Sequence, residues 1–382
     1  MFILLFCCVE SEPHEFTFEA DMPSDTSESY PEPEQEIEAE PEQSQSTEPT
    51  IDPPEEEEEI IPEVTKTEEF LSDTATHQLI FEERQDASQA HLWNFPTNSD
   101  DGFFFTTMYS GYLTMREYDA DFNQLQEPVI IAADEDLEVP HHAIADHATL
   151  RHEDRLFYAV STNNDWDLKI ISTDLDGVRL AKETVQYSHT LKVNDPQIYA
   201  VEDNICVRWG QSGYEKSYRC FDTDLIPLHS PQIVITTVPT SQLGTTVYTG
   251  DGFLVFSGDA PQSDLIVSRY DADWNELDPF QYILIHSEFG EWNWASTGAV
   301  WIPEHELWAV SYTNMPKTGN SFDGRGRLAL FNSDFELQTV RFTQQQDKAT
   351  FRAHLIWTGE NLILTYDAGP VVLERWSIVP LE

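Results

Sequence analysis

Residues 251–277 read DGFLVFSGDAPQSDLIVSRYDADWNEL. A tight Asp-Gly turn leads into an apolar strand, a short loop follows, and a second apolar strand ends in a turn of paired acids. β-branched and aromatic residues fill the strands, and Gly, Asp and Asn fill the turns, which is strand-turn-strand chemistry. The first turn recurs at Asp101-Gly102-Phe103, Asp154-Arg155-Leu156, Asp203-Asn204-Ile205, His305-Glu306-Leu307 and Glu360-Asn361-Leu362. From copy to copy the third positions step by 53, 49, 48, 54 and 55 residues. The second landmark recurs as REYDADFNQL (116–125), ISTDLDGVRL (171–180), RCFDTDLIPL (219–228) and LFNSDFELQT (330–339). A period near fifty residues marks a repeat architecture. The spacing leaves room for four short strands per unit, as around 197–201, 205–209, 216–221 and 232–236 in the third.

Six four-stranded antiparallel units without a helical period make an all-β, six-bladed β-propeller. The sixth unit ends soon after its third strand. The segment His77–Arg84, ahead of the first unit, is positioned to supply the missing fourth strand and close the ring, which protects the strand edges. A two-sheet sandwich is the competing fold, but it needs no fifty-residue period.

The chain has 382 residues and a net charge of −50. Such a charge argues against a nucleic-acid partner and against attraction to an anionic membrane surface. The acid is concentrated in the front. Residues 10–75 hold 24 Asp and Glu against one base, Lys66. Low hydrophobicity and one-sided charge cannot support a core, so 9–76 reads as a disordered acidic Glu/Pro-rich linker, extended by self-repulsion. Residues 77–382 are then the propeller domain.

Residues 1–8, MFILLFCC, are too short an apolar run to cross a bilayer. They look like the tail of a secretory signal whose charged front is absent. They also resemble the lipobox of bacterial lipoproteins, which implies lipidation at one of Cys7 or Cys8. The family prefers a small residue before that cysteine, and Phe6 departs from it. A cleaved, secreted form and a start without meaning are the alternatives. Together, period and N-terminus resemble six-bladed propellers of bacterial envelope lipoproteins, without a specific family motif. The resemblance implies a cell-envelope protein, outer-membrane-anchored or secreted, that touches the membrane only through its lipid.

Cys206 and Cys220 lie symmetrically about Gly213, in a turn between two expected strands. Facing thiols on adjacent strands would form a disulfide in an exported protein, and buried free thiols otherwise. The paired acids Asp119/Asp121, Asp174/Asp176, Asp222/Asp224 and Asp271/Asp273 lack the further oxygen ligands of a calcium loop, so they read as turn formers.

Aligning the inner strands by their turns, with a three-residue gap in the first unit, puts His91, His147, Gln197, Thr246, Ala299 and His354 in one register. In a closed ring, His354, His91, His147 and Gln197 would be consecutive. Imidazoles from neighbouring strands bind transition metals or move protons. By residue type the set resembles metal sites in propeller lyases acting on acidic sugars. The alternative is packing between blades. No cofactor is expected beyond a divalent metal at these residues. His141-His142 reads as a solvated loop, and the long insertion 313–327 as a loop suited to binding. Trp292 and Trp294 would stack on a sugar ring or grip a partner, or else wedge between blades.

No nucleophile elbow, phosphate loop, zinc-spaced cysteine set or dinucleotide fingerprint is present. The sequence therefore favours a monomeric propeller binding a protein or glycan as a scaffold, without catalytic residues to name. The alternative is a metal-assisted carbohydrate lyase or hydrolase with its site on the propeller axis.

Overall fold

A computed structural model describes residues 70–88, 92–109, 111–133, 137, 144–162, 167–186, 194–210, 216–235, 240–259, 265–284, 291–293, 298–316, 325–344, 351–368 and 370–381. The leader, and the acidic linker before residue 70, lie outside them. The fold belongs to a compact unit spanning Pro62–Glu382.

Two N-terminal strands, β1 (Phe70–Leu71) and β2 (His77–Ser88), precede the blades. Blade one is β3 (Leu92–Asn98), β4 (Gly102–Tyr109), β5 (Tyr112–Asp119) and β6 (Val129–Ala133). Blade two is β7 (Ile144–His152), β8 (Arg155–Thr162), β9 (Leu168–Asp174) and β10 (Arg179–Gln186). Blade three is β11 (Asn194–Val201), β12 (Asn204–Gly210), β13 (Lys216–Phe221) and β14 (Gln232–Ile235). Blade four is β15 (Thr240–Tyr248), β16 (Gly252–Asp259), β17 (Leu265–Asp271) and β18 (Glu276–Leu284). Blade five has β19 (Glu291–Asn293), β20 (Gly298–Ile302), β21 (Leu307–Pro316), β22 (Arg325–Asn332) and β23 (Leu337–Phe342). Blade six is β24 (Phe351–Trp357), β25 (Leu362–Asp367) and β26 (Val371–Pro380).

All strand pairs within the blades are antiparallel, and β2 adds the fourth strand of blade six by pairing with β26 from His77↔Pro380 to Ser88↔Val371. The inner strands β3, β7, β11, β15, β20 and β24 each touch the next, and β24 touches β3, so the ring closes. The described residues also extend blade five beyond expectation. β1, inside the stretch assigned to the linker, adds an outer strand by pairing Phe70 with Val340, and β19 pairs with the far end of β21.

Six buried apolar clusters fill the six blade junctions among the described residues. Successive side chains of a strand face opposite blades, as the two-residue period requires. In β8, Leu156, Tyr158 and Val160 face blade one, while Phe157 and Ala159 face blade three. Each large apolar side chain so buried contributes roughly 1.5–3 kcal/mol.

The acidic turns are structural, as their recurrence suggested. Asp271 Oδ1 accepts from the backbone N–H of Asp273 (2.9 Å) and Asn275 (2.8 Å). Asp119, Asp222 and Asn332 make the same pair of bonds in their own turns. Hydrogen bonds from Asn275 hold the Asp271 carboxyl below its usual range. Three residues on, Phe122, Leu225, Trp274 and Phe335 all adopt positive φ, between 60° and 64°. That conformation is costly for a bulky residue. Here it inserts the side chain into the junction core, where Trp274 stacks on Phe253 with centroids 4.2 Å apart.

In the other hairpin turn, Gly102 and Gly252 are required by close approach. A Cβ there would stand 2.2 Å and 2.1 Å from the carbonyl oxygens of Tyr118 and Tyr270.

Candidate functional site at the mouth of the propeller axis

The blades differ in polarity from one end to the other. Near the inner hairpin turns the second strands are apolar, as in Phe103, Phe104 and Phe105. Toward the opposite end, where the longer connections leave the strands, buried polar groups replace them. Asn94, Thr107, Asp146, His147, Ser161, Arg208, Ser257, Ser311 and Asp367 are all buried at this end. Burying polar groups costs free energy unless each is paired, so such a layer in the middle of a ring marks a candidate site.

Blade one forms the centre of the best-defined part. Phe95, on β3, stands between two imidazoles. Its ring centroid is 3.9 Å from that of His354 in blade six and 5.2 Å from that of His147 in blade two. His147 is fully buried and its Nε2 lies 3.0 Å from Thr106 Oγ1. Burial lowers its pKa to about 3, against a weaker upward push from hydrogen bonding to the Thr106 backbone. The ring is therefore neutral at physiological pH. On the other side of blade one, Asn94 Nδ2 donates to Asp367 Oδ1 of blade six (2.9 Å).

Blade three is built differently. Gln197 Oε1 accepts from Arg208 Nη2 (2.7 Å) and from the backbone N–H of Thr246 in blade four (2.9 Å). Arg208 Nη2 also donates to Gly244 O (2.9 Å). This network ties two blades together.

The histidine register expected from the sequence is therefore resolved into separate contacts. His91 lies outside the described residues, and Phe95 stands between His147 and His354. The turn of blade one, Asn98 to Phe103, has the same length as those of blades four and six, so the gap inserted there was unnecessary. A one-residue offset sends a side chain to the opposite face of its sheet. His354 reaches forward to blade one, His147 reaches back to it, and Gln197 points to blade four. A shared divalent ion does not fit the three described members. Gln197 Oε1 already holds two N–H donors, one of them on a guanidinium, which would repel a cation. Among the described residues no three His, Cys, Asp or Glu side chains are grouped to hold a metal.

Trp292 lies on β19, opposite Met315 and in line with the inner strand β20, at the same end as the polar layer. Trp294, His141, His142, Cys7 and Cys8 lie outside the described residues. Cys206 and Cys220 pair across β12 and β13 and are joined by a disulfide, with Cα atoms 4.1 Å apart.

Phe95, Asn94, Asp367 and Arg208 were not singled out from the sequence. A strict two-residue count from each turn would have placed Phe95 opposite Thr106. Nothing local marks Asn94 and Asp367, which are 273 residues apart and meet only when the ring closes.

No known family model matches the chain, and no curated protein matches it. Solved structures do resemble it. A subtype N10 neuraminidase-like protein of A/little yellow-shouldered bat/Guatemala is similar with a TM-score of 0.52 at 9% identity, over 79% of this chain and 98% of that one. That likeness concerns the fold alone. A DUF4221-family protein from Bacteroides vulgatus gives 0.48 at 10% identity, over 80% and 99%. The xyloglucan-locus GH43B protein of Bacteroides ovatus gives 0.48 at 9% identity over 70% of this chain, which spans only 59% of that protein.

Proposed function

We propose that this chain is a glycan-directed propeller whose site is the polar mouth of its axis, with hydrolytic chemistry supplied by Asp146 and Asp367. The observation that carries the reading is the layer of buried polar groups, including Asp146, His147, Arg208 and Asp367, at one end of the blades. Two buried carboxylates on blades two and six are the residue types that glycoside hydrolysis requires: one to protonate the leaving oxygen, one to activate water or attack. Phe95 adds an aromatic group at the same end, suited to the apolar face of a sugar ring. The test is a panel of plant and bacterial polysaccharides, scored for binding and for release of reducing ends. Binding, with release abolished in Asp146→Asn and Asp367→Asn variants that keep the wild-type melting temperature, is expected. Absence of binding to every glycan would overturn the reading.

A second reading, a scaffold for a protein partner, is favoured by one feature. Ile130, Val178, Ile226 and Leu277, on or beside the outer strands of blades one to four, are 59–61% exposed. Charge at Val178 and Ile226 (both →Asp) would then abolish partner binding and leave glycan binding intact.

The proposal extends to location. An exported protein, held at a bacterial envelope by a lipid on Cys7 or Cys8 with the acidic segment as spacer, agrees with an oxidised cysteine pair. Incorporation of labelled palmitate, lost when both cysteines become serine, is the expected result. Unchanged labelling or none at all would overturn it.

A further inference from the structure

The closing strand is held at its first residue by a pair of histidines. His77, at the head of β2, and His305, in the inner turn of blade five, meet edge to face with ring centroids 4.9 Å apart. The turn fixes His305, whose backbone N–H donates to Ile302 O (3.2 Å) while that of Glu306 donates to Pro303 O (3.4 Å). The His305 ring also meets Trp357 of blade six, with centroids 6.1 Å apart. His77 is fixed by its pairing with Pro380 and by Leu79, two residues on, which is buried in the junction of blades five and six. Both imidazoles are partly exposed, so protons reach them.

The residues ahead of His77 depend on the same seam. Thr76 N–H donates to Gln338 Oε1 (3.0 Å), Leu381 N–H to Thr76 O (2.9 Å) and Ser72 N–H to Gln338 O (2.9 Å). These bonds lay β1 along β23, where Thr339 Oγ1 donates to Phe70 O (2.9 Å). β1 thereby covers part of the outer edge of blade five, and an uncovered edge is a template for another strand.

Neutral aromatic rings pack well edge to face, whereas two imidazoliums at this distance repel. Thr76 Oγ1 lies 2.9 Å from His77 Nδ1, and a hydroxyl can donate or accept, so it suits either protonation state. The carboxylates on the surrounding elements are Asp73 ahead of β2, Glu304 and Glu306 in the His305 turn, and Glu360 in the turn of blade six. Glu304 accepts from Trp357 Nε1 (2.9 Å), and among the described residues no carboxylate makes an ion pair with either ring. Burial lowers the pKa of His77 below its ordinary 6.5, and the charge of His305 lowers it further. The folded chain therefore binds fewer protons here than the unfolded one. The contribution of the pair is full above pH 6.5 and is lost as pH falls through the lowered folded value.

We propose that His77 and His305 form an acid-released latch, in which protonation of both rings loosens residues 70–77 from blade five and bares the outer edge of β23. Neither the glycan site nor a protein partner is needed for it.

The test follows hydrogen-exchange protection factors and histidine ring titrations in the full chain from pH 8 to pH 4.5. The amides of Ser72, Thr76 and Leu381, whose bonds hold this segment, are expected to lose protection roughly five- to tenfold toward acid, while amides of β12 in blade three keep theirs. His305→Gln and His77→Gln stay neutral throughout, and each is expected to abolish that fall. His305→Lys is charged throughout. It is expected to lower protection at the same three amides already at pH 8 and to move the His77 titration further down. A merely structural role for His305 would make its Gln and Lys variants alike, and that result overturns the latch. Protection that holds to pH 4.5 in the wild type, or that falls equally in the Gln variants, also overturns it.

Discussion

Glu374 should make the fold lose stability as pH rises. This side chain is fully buried in β26. Burial pushes its carboxyl up to about 7 from 4.5, although Tyr366 OH, the backbone N–H of Gln344 (2.7 Å) and Trp376 Nε1 (3.0 Å) all donate to it and pull it back down. The folded value lies above the unfolded one, so the folded chain holds a proton that the unfolded chain has released. The contribution is present in full below pH 4.5 and is lost as pH climbs to 7. At 1.36 kcal/mol per unit, the loss comes to roughly 3 kcal/mol. Glu374→Gln never ionises, but whichever way its amide is turned its NH2 faces an N–H donor, of Gln344 or of Trp376, which lowers its stability by an amount that does not depend on pH. Urea unfolding of both proteins from pH 4 to pH 9 isolates the effect from the chain's other acids. Between pH 4 and pH 8 the stability of the variant relative to the wild type is expected to rise by about 3 kcal/mol. A difference that does not change with pH, or one that grows toward acid, would refute the reasoning.

Other expectations concern the ring and its turns. Arg375 joins blade six to the turn of blade one, through Asp121 (2.7 Å) and Ala120 O, and to the closing strand through Glu83 (3.0 Å). Arg375→Ala should cost about 2–3 kcal/mol, and hydrogen exchange should rise first in β2. Trp274→Gly relieves the positive φ but removes the ring stacked on Phe253, so a net loss of about 3 kcal/mol is expected by thermal unfolding. Replacing both Cys206 and Cys220 with Ala should lower stability by about 3 kcal/mol for a loop of this size, and a reducing agent should reproduce the loss in the wild type only.

The fold was legible because a propeller repeats its instructions. Turn acids at a fifty-residue period define the blades whatever fills the strands between them, and a chain that ends one strand short must borrow one from its front. The Asp119, Asp222 and Asp271 turns were readable for the same reason, since a carboxylate binding backbone two and four residues ahead is a local event. The axis was not. Its contacts join Asn94 to Asp367 and Phe95 to both His147 and His354, and they depend on strand register to one residue. The inner hairpins hold the same register in every blade, so an alignment that followed residue type instead of that count gathered histidines that face different ways. The outer strand β1 was missed because two apolar residues, Phe70 and Leu71, sit at the end of an acidic stretch whose composition overrides them.

The most direct test of the account is where a glycan lands. Backbone amide shifts, recorded as an oligosaccharide is titrated in, should move at Asn94, Phe95, His147 and His354, while the acidic turns at Asp119, Asp222 and Asp271 stay still. Movement confined to those turns or to the outer strands would contradict it.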